Sequence, residues 1–134
     1  MKQFIYLLLI FCPIFIKAQD TNKKVKTPQI VTKLKTGKKA NFGNKSIHFI
    51  KVLEDSRCPK GVSCVWAGQA KILIGLYEND TLLEEKEILI KAPIKSKELL
   101  KSLEKTVYSH NLSPYPINSE KIDPSNYYLE LLVK

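Results

Sequence analysis

The sequence predicts an all-β protein: a single small antiparallel β-sandwich or partly open barrel of about seven strands, with one short helix and one disulfide-closed loop. Three observations lead there. Short apolar segments that alternate with polar residues recur along the chain, separated by Gly, Asn, Asp and Pro. An amino-terminal leader leaves about 115 residues, enough for one hydrophobic core and not for two. The stretch 55–70, DSRCPKGVSCVWAGQA, then holds two cysteines, a proline, the single tryptophan and two glycines, and runs directly into Ile72, Leu73 and Ile74.

The leader, residues 1–19, has the layout of a secretory signal peptide: Lys2, an apolar run over 4–16, and Ala18, with cleavage expected after Ala18 or Gln19. The apolar run is short for a bilayer span, so the mature chain is expected not to be transmembrane. Cys12 raises a lipoprotein reading, but the bulky Phe11 precedes it and apolar residues continue beyond it, which argues against that reading. The organisation expected is a signal peptide at 1–19, a flexible basic arm at 20–27 and one β-domain at 28–134, located in the periplasm or secreted.

Within that domain, residues 29–34 alternate, and Thr36, Gly37 and Lys38 turn the chain. Segments 39–42 and 46–54 read as a hairpin around Gly43 and Asn44, the second strand rich in Ile47, Phe49, Ile50 and Val52. Segment 65–77 is the longest strand expected, with Trp66, Ala70, Ile72, Ile74 and Leu76 on one face. Glu78, Asn79 and Asp80 turn it into 82–91, where Leu82, Ile88 and Ile90 are expected to face the core. Pro93 ends that strand. Ser96 as N-cap, with Leu99, Leu100 and Leu103 among charged residues, predicts an amphipathic helix over 96–105. Segment 106–112 returns to β, 113–124 is a proline-rich loop, and 127–133 closes the chain with Tyr127, Leu129, Leu131 and Val133 alternating.

Charge is unevenly placed. Lys23, Lys24, Lys26, Lys33, Lys35, Lys38, Lys39 and Lys45 face only Asp20, whereas from Ser46 onward acidic and basic residues balance. A basic face spread over the whole domain, which nucleic-acid readers show, is therefore not expected, and the basic segment has few aromatics on which bases could stack. It reads as a solvated arm, or as an adhesive for anionic surfaces that salt would weaken.

Once the leader is removed, Cys58 and Cys64 are the remaining cysteines, and an even pair in an exported chain is expected to form a disulfide. So short a loop gains roughly 2 to 2.5 kcal/mol in the chain-entropy treatment, against about 5 to 15 for a domain, so the bridge shapes the loop more than it holds the fold. Zinc binding with His48 or His110 is disfavoured by the cysteine spacing and the lack of a second pair, and CPKGVSC is not the CxxC arrangement of redox dithiols. No metal and no cofactor are expected. Trp66 is expected to pack beneath the loop, with Asp55, Pro59, Gly68 and Ala70 as structural members of the motif. Arg57, the one arginine, could pair with Asp55 and lie over Trp66, or be displayed. Pro59 fixes its own backbone and Gly61 permits a tight turn, so Arg57 and Lys60 are the candidate recognition residues at the loop tip.

The run DSRCP, four residues, C and then VWAGQA is similar to the signature of a family of small bacterial envelope and secreted proteins, close to DSRCPxxxxCxWxGxA. Ser113, Pro114, Tyr115 and Pro116 before the last strand match a PYP element that members also tend to carry. The resemblance spans most of the mature chain. It implies a compact all-β domain and no particular activity.

Catalytic chemistry is thinly represented. Neither His48 nor His110 lies near a serine in a nucleophile-elbow context, Ser63 reads as a turn residue, and the adjacent Glu84 and Glu85 would point to opposite faces of a strand. Asp80, Thr81 and Leu82 resemble a bacterial O-glycosylation triplet, which would mark an exposed turn. The function expected is therefore a non-catalytic binding or inhibitor-type module of the cell envelope, whose partner is a protein or another envelope component. The alternative is a structural envelope protein held to anionic surfaces by its lysine-rich segment. A hydrolase or metal enzyme is more remote, because it would need convergent polar groups.

Overall fold

The computed structural model describes residues 30–134, so the expected signal peptide at 1–19, the expected arm at 20–27 and Lys23, Lys24 and Lys26 lie outside the described residues. Eight strands form two antiparallel sheets: β1 (Ile30–Lys35), β2 (Lys39–Phe42), β3 (Lys45–Asp55), β4 (Gln69–Glu78), β5 (Thr81–Lys91), β6 (Lys97–Lys101), β7 (Thr106–Ser113) and β8 (Tyr128–Val133). One sheet has the order β1-β8-β7-β6 and the other β2-β3-β4-β5. The sheets are not closed into a barrel, so the sandwich is the form this chain takes.

Tight turns set the hairpins. Gly43, at a φ of +75°, opens the two-residue turn between β2 and β3, a backbone that favours glycine because it has no Cβ. Asn79 and Asp80 carry φ values of 47° and 63° in the turn between β4 and β5, the pair of left-handed residues that matches the twist of a two-residue hairpin. These two turns are tied at one end of the sandwich, where Asn79 N donates to Asn44 O at 2.8 Å.

Alternation fills the space between the sheets. Ile47, Phe49, Ile72, Ile74 and Ile88 from one sheet meet Val107, Leu112, Leu129 and Leu131 from the other, all fully buried. Ala70 is buried with them, and β4 runs from Gln69, so the strand expected over 65–77 begins four residues later.

Two sequence expectations fail for the same reason, a β-bulge. No helix forms over 96–105: residues 97–101 are β6, which accounts for the eighth strand, and the one helical turn among the described residues is a 3-10 turn at Pro124–Asn126. The register of β6 slips between Glu98 and Leu100, which turns the consecutive Leu99 and Leu100 both into the core. Two adjacent buried leucines imitate a helical stripe, but Leu103, expected on that stripe, is exposed. Leu82, expected in the core, is also exposed. A register shift between Leu76 and Tyr77 sends it to the outer face, where its Cδ1 and that of Ile50 both cover Gly75.

Candidate functional site

The end of the sandwich opposite the two tied turns is built from two loops, 56–68 and 114–127, that clasp each other. Cys58 and Cys64 form the disulfide. Inside the bridged segment, Lys60 N donates to Pro116 O at 3.0 Å and Asn118 N donates to Lys60 O at 2.9 Å, so the proline-rich loop grips the cystine loop through its backbone. Tyr115 adds a bond from its hydroxyl to Cys58 O at 2.8 Å.

Beneath this clasp lies a charged lock. Arg57 is 6% exposed, and its guanidinium forks onto Asp55, with Nε donating to Oδ1 at 2.8 Å and Nη2 to Oδ2 at 2.6 Å. The same group reaches across the sandwich, Nη1 donating to Leu112 O at 2.6 Å and Nη2 to Pro114 O at 3.1 Å, while its Cζ sits 4.9 Å from the centre of the Tyr115 ring. Tyr127 completes the cluster by donating its hydroxyl to Asp55 Oδ2 at 2.9 Å. One side chain thus joins the end of β3 to the end of β7, and the planar fork of arginine is what allows it to bond a carboxylate and two carbonyls together.

Burial alone would push the Asp55 carboxyl up, but the hydrogen bonds and charge of Arg57, with the Tyr127 bond, hold it below its ordinary value. Burial raises the Tyr127 phenol, and so do its bond to the Asp55 carboxylate and that carboxylate's charge, to about 12. A tyrosine whose folded pKa lies above its ordinary 10.0 contributes stability that is complete below pH 10 and is lost as pH climbs toward 12. Tyr127→Phe should therefore melt lower than the parent at neutral pH, with the difference shrinking between pH 10 and 12, as read by melting curves across that range.

A cleft of about 450 Å³ opens beside the lock, lined by Asp55, Arg57, Pro59, Glu120, Lys121 and Tyr127 among others. The lock residues along it are already engaged with one another. Both Asp55 oxygens already accept two hydrogen bonds each, the Tyr127 hydroxyl donates its hydrogen bond to Asp55, and Arg57 is spent on four acceptors. Ser96 Oγ stands 3.3 Å from His110 Nδ1, but among the described residues no carboxylate bonds that imidazole to orient it as a general base. No group of three His, Cys, Asp or Glu converges as metal ligands would among the described residues, and none of the described helices is long and apolar enough to cross a membrane.

Two sequence expectations for this motif are exchanged by the structure. Of the two places expected for Arg57, the pairing with Asp55 is the one taken and display at the loop tip is not: two backbone carbonyls of the facing sheet and the Asp55 carboxylate take its donors, and it lies over Tyr115, not Trp66. Trp66, expected beneath the loop, is 77% exposed, because it precedes the first paired residue of β4 and the loop leaves it outside. Val65 beside it is wholly exposed, and Val62 and Ile117 stand out at the same end. Lys60 is exposed as expected, its Nζ 5.8 Å from the Tyr115 ring. Pro59 is half-buried, and Gly68 takes the structural place expected of it, packed against the Ser56 backbone. Lys33, Lys35, Lys38, Lys39 and Lys45 do not belong to an arm: they lie on and between β1, β2 and β3, with Lys45 Nζ bonded to Lys101 O at 3.0 Å and Lys39 Nζ over the Tyr77 ring.

Tyr115 and Tyr127 were not singled out as motif partners from the sequence. The PYP element was the available signal for Tyr115, since a tyrosine between two prolines has a fixed backbone from which to reach the cystine loop. No family model matches the chain, and no curated protein or solved structure matches it.

Proposed function

We propose that this protein is an exported, non-catalytic binding module of the bacterial cell envelope that engages its partner through the cystine-loop end of the sandwich. The observation that carries the reading is Trp66, 77% exposed on a loop held by a disulfide, a buried ion pair and a second loop. Tryptophan is the side chain most concentrated at the energetic centres of interfaces, and a frame fixed in advance lowers the entropy cost of ordering it on binding. The saturated hydrogen bonding of the Asp55–Arg57–Tyr127 cluster supports a structural role for the polar residues and leaves recognition to the apolar tip. The similarity of the DSRCP and PYP elements to small envelope proteins supports the cellular setting.

The reading is tested with immobilised mature protein and its Trp66→Ala variant, each exposed to native envelope extract. Wild type should retain a component that Trp66→Ala loses by more than about tenfold, the loss of about 1.4 kcal/mol or more that an interface anchor gives. Equal retention by both proteins would remove Trp66 from recognition.

A further inference from the structure

We infer that the cystine-loop end of the sandwich docks on an anionic lipid surface, with Trp66 and Val65 entering the headgroup layer and Lys91, Lys95 and Lys97 meeting the lipid phosphates. The inference rests on the binding-module reading above and names its partner.

Strand register brings the two groups to one end. Gln69, which opens β4 and accepts a bond from Ser56 at 2.8 Å, pairs with Lys91 at the close of β5. Lys97 opens β6 and pairs with Ser109 on the strand whose far end, Leu112 and Pro114, bonds Arg57. The 91–97 turn therefore leaves the sandwich at the same end as the cystine loop. It borders an open cavity of about 650 Å³ that Leu89, Lys91, Pro93, Lys95 and Lys97 line, and Ile94 in the turn is half exposed.

Charge separates the two ends. Apart from the Asp55–Arg57 pair, the loops and strand ends at the cystine end carry Lys35, Lys60, Lys91, Lys95, Lys97 and Lys121 against Glu98, Glu120 and Asp123. At the opposite end, Lys45, Lys101, Lys105 and Lys134 are nearly matched by Glu78, Asp80 and Glu104. An exposed indole beside exposed valine, with lysines around it, is the composition of an interfacial anchor: tryptophan resides at headgroup depth, and lysine keeps its ammonium at the phosphates while its stem lies along apolar surface. A protein partner fits this end less well, since lysine is depleted where proteins bury surface against each other.

Trp66 is the only tryptophan, so its emission reports on this surface alone. The mature chain is titrated with vesicles of phosphatidylglycerol mixed with phosphatidylcholine, with pure phosphatidylcholine in parallel and with bromine-labelled acyl chains as a depth quencher. The expected result is a blue shift and bromine quenching with the anionic vesicles only. Each surface lysine contributes about five-fold to affinity, so joint Lys91→Gln, Lys95→Gln and Lys97→Gln should weaken binding about 100-fold. Changing Lys45, Lys101 and Lys105, at the opposite end of the sandwich, to Gln should weaken it less. An emission unchanged at saturating anionic lipid, or equal affinity of the Lys91, Lys95 and Lys97 variant, overturns the inference. A photo-crosslinking residue at position 65 separates the two levels: capture of an envelope protein without a vesicle response overturns the lipid partner and leaves the binding module, whereas neither capture nor response overturns both.

Discussion

Arg57→Ala should lower the melting temperature of residues 20–134 by more than about 10 °C, while Trp66→Ala should leave it nearly unchanged. The Arg57 and Asp55 side chains are only 5% and 9% exposed, so deleting the guanidinium strands a carboxylate in the interior. It also takes the donors from Leu112 O and Pro114 O, which hold the end of β7 to the cystine loop. Breaking one half of a buried pair costs about 3 to 5 kcal/mol, a large part of what a small domain has. Arg57→Lys should recover little, since a point charge cannot bond a carboxylate and two carbonyls in one plane. Trp66, by contrast, surrenders mostly solvent-facing surface, and an exposed substitution stays within about 0.5 kcal/mol. An Arg57→Ala protein that melts with wild type would show that the buried fork does not hold the loop.

Gly68→Ala should be the most damaging single methyl in the chain. The residue sits at a φ of +68°, and a Cβ there would overlap the Ser56 carbonyl oxygen and stand 2.9 Å from Arg57 Cα. Both obstacles are backbone, so neither can swing aside, and relief has to come from moving the strand end that carries Asp55 and Arg57. Strain at such a φ alone costs about 1 to 3 kcal/mol, and the collision adds to it. Gly43→Ala is the control: its φ is similar at +75°, but its Cβ would meet only Ser102 Oγ at an ordinary 3.5 Å. Hydrogen exchange at Cys58 N, which donates to Ala67 O, should accelerate in Gly68→Ala and not in Gly43→Ala. Equal behaviour of the two variants would mean that the loop yields easily at Gly68.

Much of the sandwich was legible because its signals are local. Period-two alternation located Ile47 and Phe49, Ile72 and Ile74, Leu129 and Leu131, and short polar turns located Gly43 and Asn79. What failed depended on partners on other strands. The bulges that turn Leu99 and Leu100 inward and Leu82 outward are properties of pairing with β7 and β4, and no periodicity within one strand records them. The exchange of Arg57 and Trp66 has the same origin. A residue type suggests which side chain prefers the interior, and tryptophan next to an apolar strand is ordinarily buried. Here the acceptors at Leu112 and Pro114, 55 and 57 residues further on, draw the arginine in, and the same loop path leaves the indole outside. The Cys58–Cys64 bridge was legible because setting aside the expected leader, which holds Cys12, leaves an even pair close together in the chain. The lysines at Lys91, Lys95 and Lys97 escaped notice because, along the chain, they stand among balancing acidic residues and join the cystine loop only through strand register.

The measurement that bears most directly on a displayed tryptophan over a locked arginine is the native emission of Trp66 in lipid-free buffer, with acrylamide quenching. With the indole 77% exposed and no second tryptophan to obscure it, emission maximum and quenching constant should lie close to those of the urea-unfolded chain. A blue-shifted emission protected from acrylamide in the folded monomer would place the indole in the core and contradict the recognition role proposed for it.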